Sequence, residues 1–186
     1  MAGAAHRVVL GSHAQTPAGQ PVRLAVDVLR AAGGELSCTF ALQAQLSQLA
    51  LPPAGAGARR EALWRHTCFE LFMSPSGQSL YYEFNFSPSL EWAAYRFDDY
   101  RRGMQPAQLA QPPSLTRTEQ PGELRLAATI ALAGLAGVEG AARLDLGLAA
   151  VLEERDGTLS YWALEHPCAR PDFHQRQAFT LALRRA

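Results

Sequence analysis

The sequence predicts an antiparallel β-sandwich, on three observations. Apolar residues alternate with polar ones over short segments, turn-forming clusters separate those segments, and no stretch sustains a helical period. About ten such segments follow one another at short spacing, the pattern of an all-β chain whose two layers share one core. The 186 residues suffice for one domain, 1–186, that needs neither a disulfide staple nor a structural metal.

In order along the chain, Pro21 to Arg30 alternates Val22, Leu24, Val26 and Val28 against Arg23, Ala25 and Asp27, the period of a half-buried strand. Gly33-Gly34 turns it into a returning strand with Leu36, Cys38, Phe40 and Leu42 in phase. Leu51 to Trp64, rich in Pro, Gly and Ala, is a loop with one helical turn near its end. Three strands follow as a meander, His66 to Met73, Leu80 to Ser87 and Leu90 to Phe97, punctuated by Pro-Ser-Gly and Ser-Pro-Ser. Asp98 to Ser114 is an irregular excursion broken by glycine and prolines. Leu115 to Glu119 pairs with Glu123 to Leu132, and Arg143 to Glu154 with Thr158 to Leu164, while Phe179, Leu181 and Leu183 mark a last strand. In Ala127 to Ala142 alanine and leucine favour helix while the glycines interrupt it, so the pattern leaves both states open.

Composition narrows the function classes. Acidic and basic residues balance at 17 each, and every basic residue is arginine, scattered rather than clustered. Without a basic surplus there is no electrostatic footprint for nucleic acid. The segment beginning MAGAAHRVVLGSH lacks the long apolar core of a secretory signal, and no stretch approaches the roughly 18 apolar residues of a membrane span, so a cytoplasmic location is the expectation. Cys38, Cys68 and Cys168 are widely spaced, as reduced thiols are, and the first two sit in strands where a small buried hydrophobe fits. Nothing in the sequence reads on the oligomeric state.

The chemistry concentrates in CFELFMSPSGQSLYYEFNFSPSLEWAAYRF, Cys68 to Phe97. A hairpin turning at Ser76-Gly77 sets Glu70 opposite Glu83 and Phe72 opposite Tyr81. Phe69, Leu71, Met73, Leu80, Tyr82, Phe84 and Phe86 then share an apolar face, and Cys68, Glu70, Phe72, Tyr81, Glu83 and Asn85 the other. A second turn at Pro88-Ser89 would add Trp92, Ala94 and Arg96 to the polar face and Ala93, Tyr95 and Phe97 to the core. A slip of two residues preserves these faces, whereas a slip of one inverts them. Apposed like charges cost stability and need compensation, for which Arg96 is the nearest candidate. Three readings stay open: an ion-pair ladder, a polar groove in which Trp92 or Tyr81 stacks on a ring, and a glycosidase pair of carboxylates.

Leu63 to Met104, with its Trp64 lead-in, CFELF, YYEFNFSPS and WAAYRFDDYRRGM, resembles the DOMON-like proteins related to family 9 carbohydrate-binding modules, and Tyr161 to His174, YWALEHPCARPDFH, resembles their closing region. The resemblance implies a β-sandwich that binds sugar or haem in its better understood branches. Sugar-binding members use tryptophans with polar side chains beside them, which implies such roles for Trp64 and Trp92 with Glu70, Glu83, Asn85 and Arg96. Haem-binding members use a Met and a His. Here Met73 lies on the apolar face and no motif pairs Met104 with His66 or His174, so no cofactor is expected. His166, Cys168, Asp172 and His174 bear metal-binding groups, but their spacing matches no standard zinc pattern and no metal site is expected. No Gly-x-Ser-x-Gly elbow or phosphate loop occurs.

The expectation is therefore a non-catalytic β-sandwich that binds a small molecule, a saccharide or sugar-containing metabolite, through Trp64, Glu70, Tyr81, Glu83, Asn85, Trp92 and Arg96, with neither nucleic acid nor membrane as partner. The alternatives are a hydrolase using Glu70 and Glu83, and a protein-interaction module.

Overall fold

A computed structural model describes residues 5–185. The first four residues, part of the segment read for a targeting signal, and Ala186 lie outside the described residues. Among the described residues twelve strands run in chain order: β1 (His6–Ser12), β2 (Arg23–Arg30), β3 (Glu35–Gln43), β4 (Cys68–Pro75), β5 (Tyr81–Phe86), β6 (Trp92–Phe97), β7 (Gln105–Pro106), β8 (Ser114–Gln120), β9 (Glu123–Ala131), β10 (Arg143–Glu153), β11 (Leu159–Ala163) and β12 (Leu181–Arg184). The only helical elements among the described residues are single 3-10 turns at Leu46–Gln48, Leu63–Arg65 and Arg176–Ala178. Among the described residues no helix is long and apolar enough to cross a membrane.

The hydrogen-bonded order is β7-β6-β5-β4-β10-β11-β1-β2-β3-β9-β8, with β12 also pairing β10. This ladder curls so that its two halves face each other as the layers of a sandwich. β1 passes between them: His6 to Leu10 pair with β2, and Gly11 and Ser12 with β11. The alternating residues Leu24, Val26 and Val28, Leu36, Cys38 and Phe40, and Leu124, Leu126 and Ile130 meet Phe69, Leu71, Phe84 and Leu146 in one core. Burying a Leu or Phe side chain stabilises the fold by about 1.5–3 kcal/mol, so this interlayer core dominates the energetics. Cys38 and Cys68 are buried free thiols, as small hydrophobes in strands are.

Every strand expected from the alternation is present. β1 escapes the pattern because its apolar run, Val8-Val9-Leu10, does not alternate: Val9 is exposed and only Leu10 is buried. The ambiguity of Ala127 to Ala142 resolves into the end of β9 followed by turns, since Gly134, Gly137 and Gly140 each hold φ near +77°, at 78°, 76° and 78°, which ends any regular element.

Two registers differ from the sequence expectation. Between β4 and β5, Gln78, Ser79 and Leu80 follow the Ser76-Gly77 turn before β5 begins at Tyr81, and the register sets Glu70 opposite Asn85 and Phe72 opposite Glu83. Glu70 and Glu83 are diagonal neighbours rather than face to face, and the two-residue shift keeps both faces as expected. Between β5 and β6 the loop has three residues, Pro88-Ser89-Leu90, closed by Ser87 N–H to Glu91 C=O and Leu90 N–H to Ser87 C=O, each 2.9 Å. Leu90 takes the left-handed conformation at φ 70°, as the third residue of such a hairpin loop does. The odd residue inverts β6: Ala93, Tyr95 and Phe97 face away from the interlayer core, while Trp92 and Ala94 enter it.

Trp92 is therefore not on the polar face. It is 9 % exposed, with the Arg59 guanidinium carbon 5.6 Å from its ring centroid. Arg96 likewise leaves the carboxylates, sits opposite Tyr82 and pairs with Asp98 at 2.8 Å. Trp92→Ala is expected to cost about 3–5 kcal/mol in urea unfolding, the range of a truncated core aromatic. A loss under about 1 kcal/mol would return Trp92 to a surface role.

Candidate functional site

The second face of β4, β5 and β6 is not left to solvent. All residues of β4 and β5 are buried, because the turn Leu63–Arg65 and the segment 164–180 fold over this face. A second apolar cluster forms there from Cys68, Phe72, Tyr81, Phe97 and Phe179, with Phe173 packed against it. Gly147 of β10 makes the cover fit: a Cβ at that position would lie 2.8 Å from Phe179 Cδ1 and 3.4 Å from Phe72 Cβ. Where the sheet carries Ala93, Ala149 and Ala163 beneath this cover, the small side chains leave room above the floor.

The room is a cleft of about 520 Å³, within the size range of small-molecule sites. Glu70, Glu83, Tyr95, Phe97, Val151 and Tyr161 rise from five adjacent strands to form its floor, Trp64 and Arg65 form one wall, and Arg101, Met104 and Pro171 to His174 the other. Trp64 is 47 % exposed and Met104 57 %, an apolar rim unlike the buried floor. Two wall segments carry non-glycine residues in left-handed backbone: Ala62 at φ 61°, just before Trp64, and Arg101 at φ 51°. Such conformations cost energy and persist only where surrounding contacts hold them.

For Arg101 those contacts converge on Asp172. Its Oδ2 accepts from the Tyr100 hydroxyl at 2.6 Å and Gln175 Nε2 at 3.0 Å, and its Oδ1 from the Arg101 guanidinium at 2.8 Å and His174 N–H at 3.1 Å. Burial acts to raise its pKa, but these donors bring it down to about 2. Beside it, the Tyr81 hydroxyl accepts from Arg101 N–H at 3.2 Å, so its own proton goes to His174 Nδ1 at 2.8 Å. His174 then carries its proton on Nε2, 3.7 Å from Glu83 Oε2. Burial, aided by the Arg101 charge, lowers the His174 pKa to about 4, so the ring is neutral at neutral pH. Glu83 Oε1 also accepts from Asn85 Nδ2 at 2.7 Å.

Glu70 stands apart. It is only 3 % exposed and lines the cleft, yet no hydrogen bond to its carboxyl comes from the described residues. Burial and the neighbouring Glu83 charge push its pKa well above 4.5, with Arg101 pulling weakly the other way. Burial raises Glu83 as well, opposed by Asn85 and Arg101. Glu70, without a donor of its own, is where the pair most readily keeps a proton.

Of the residues singled out in the sequence, Trp64, Glu70 and Glu83 reach the cleft. Tyr81 and Asn85 lie behind it, holding His174 and Glu83 in place, while Trp92 and Arg96 are elsewhere. Tyr95 and Phe97 replace them on the floor through the inverted β6. Arg101, Tyr161, Asp172 and His174 lie inside the two stretches quoted for the family resemblance, but no local spacing marks them as site residues. The four metal-capable groups of the closing segment disperse: His166 Nε2 lies 2.9 Å from Gly11 O, Asp172 and His174 join the cleft, and Cys168 contributes a backbone carbonyl to His13 at 3.1 Å. Among the described residues no three His, Cys, Asp or Glu side chains converge as a metal site.

The raised Glu70 has a defined linkage to stability. The native state keeps a proton that the unfolded chain, with the ordinary value of 4.5, releases. That stability is complete below 4.5 and is lost as pH rises through the raised native value. Glu70→Gln escapes this loss, so its melting temperature is expected to exceed that of the wild type increasingly from acid to alkaline pH. A pH-independent difference would mean that Glu70 is solvated. His174, lowered from 6.5 to about 4, and Asp172, lowered from 3.8 to about 2, have the opposite sign and lose stability as pH falls, so the difference between variant and wild type is what isolates Glu70.

No family model matches the sequence, and no curated protein matches it. Solved structures do match its fold. One is a protein of Bacteroides uniformis ATCC 8492 provisionally classed as carbohydrate-binding, with a TM-score of 0.70 at 14 % identity, covering 98 % of this chain and 86 % of that one. Another is a family 9 carbohydrate-binding module of Caldicellulosiruptor kristjanssonii in complex with glucose, with a TM-score of 0.54 at 10 % identity, covering 94 % and 82 %. At these identities the likeness is one of fold: the chain is a β-sandwich of the kind found in family 9 carbohydrate-binding modules.

Proposed function

We propose that the cleft binds a small saccharide and releases it unchanged. The observation that carries this reading is an aromatic-walled cleft of about 520 Å³ with two buried carboxylates in its floor. A sugar ring presents apolar C–H faces and a rim of hydroxyls. Trp64, Tyr161 and Phe173 supply surfaces for the first, and Glu70, Glu83 and Arg101 supply acceptors and donors for the second. The glucose held by a module of similar fold supports the ligand class.

The carboxylate geometry favours binding over hydrolysis. Glycosidases place an acid and a second carboxylate on either flank of the scissile bond. Here Glu70 and Glu83 are diagonal neighbours on one sheet face, so both approach a bound ring from the same side. The concave, loop-covered surface is likewise suited to a small molecule rather than to a flat protein partner.

Calorimetric titration with a panel of mono- and disaccharides, neutral and amino-bearing, tests the reading. Trp64→Ala is expected to weaken binding about threefold to tenfold, the worth of one aromatic contact, with little change in melting temperature because the side chain is half exposed. Absence of binding across the panel, or an unfolded Trp64→Ala protein, would overturn it.

A further inference from the structure

The charges around the cleft do not balance. From the floor, β4 contributes Glu70 and β5 contributes Glu83, while β6 and β11 contribute aromatic and apolar side chains, Tyr95, Phe97, Leu159 and Tyr161, and no carboxylate or basic group. The closing segment adds Asp172 and a neutral His174, and the 98–104 loop adds Arg101. Arg101 is already committed, its guanidinium bonded to Asp172 at 2.8 Å. Arg65 lies at the exposed mouth, its guanidinium carbon 5.3 Å from the Trp64 ring centroid, where water screens it. What remains is a pair of adjacent buried carboxyls, one of them without a hydrogen-bond donor among the described residues, opening into an aromatic-lined cleft. A largely buried carboxylate is expensive unless it is paired, and among the described residues none donates to this one, whose oxygens open to the cleft.

Resting on the saccharide reading, we infer that the cleft selects a sugar bearing a protonated amine, a hexosamine rather than a neutral hexose, with the ammonium seated between Glu70 and Glu83. An ammonium offers three donors from one compact centre. Diagonal carboxyls on adjacent strands present acceptors to a single such group, on a floor they share with Tyr95 and Phe97. A metal ion would need further ligands, which the site does not supply: Asn85 is turned to Glu83, and His174 Nδ1 is occupied by Tyr81. A neutral hexose would leave the carboxyl pair to be satisfied by a retained proton. An ammonium replaces that proton, which leaves to solvent as the ligand binds.

The test is calorimetric titration of the whole protein at neutral pH with glucosamine, glucose and N-acetylglucosamine, repeated in two buffers of different ionisation enthalpy. Glucosamine is expected to bind about tenfold or more tighter than the other two, the worth of a charge-assisted hydrogen bond, with a buffer-dependent heat that reports proton release. Glu70→Gln, checked by its melting temperature to be folded, is expected to reduce the preference for glucosamine over glucose to under about threefold. If glucose or N-acetylglucosamine binds as tightly as glucosamine, the amine is not recognised and this inference falls while saccharide binding stands. If Glu70→Gln retains the full preference, Glu70 is not the partner and the inference falls in the same way. Should none of the three sugars bind, both readings fall together. The comparison of ligands on the wild-type protein decides the matter even where the variant does not fold.

Discussion

The cleft depends on four hydrogen bonds that converge on Asp172. They join the 171–175 segment to the 98–104 loop, neutralise Arg101, and fix His174 with its Nε2 toward Glu83. Charge-assisted bonds of this kind are about twice as strong as neutral ones, and here they hold a strained backbone at Arg101 in place. A consequence reaches the floor. With Arg101 committed to Asp172, the carboxyls of Glu70 and Glu83 face the cleft without a dedicated counter-charge, and their chemistry is set by that deficit.

A second constraint is that one layer of the sandwich is buried on both faces. The inner face of β4 and β5 packs against the opposite layer, as any sandwich requires. The outer face is covered by loops instead of water, which Gly147 and the alanines of β6, β10 and β11 permit by their size. Polar groups on a covered face must find partners or a ligand. Among the described residues Asn85, Tyr81 and Glu83 find partners, Glu70 does not, and the cleft lies above it. Packing, rather than any single motif, turns a sheet surface into a cleft.

The alternation of β2, β3, β9 and the inner residues of β4 and β5 was legible because burial on one face writes period two directly into the sequence. The face partition of β4 and β5 was legible for the same reason, and with it Glu70 and Glu83. The assignment failed at β6, where Trp92, Ala94 and Arg96 compete with Ala93, Tyr95 and Phe97. Both sets are mixed, since each face of this strand is buried, and hydrophobicity cannot choose between them. The choice was made by a three-residue loop whose left-handed residue is Leu90, without the glycine or asparagine that announces such a turn.

By itself, then, the sequence determined the strands, their antiparallel succession, the sandwich core and the two carboxyls on a shared face, all of which follow from local periodicity and turn chemistry. The tertiary structure alone decided the β6 register, the exclusion of Trp92 and Arg96, and the arrival of Arg101, Tyr161, Asp172 and His174 at the cleft. Those residues come from segments far apart in the chain, and irregular loops carry no period from which their contacts could be read. Their positions are set by what the loops must cover, which becomes defined only when the sheet beneath them has formed.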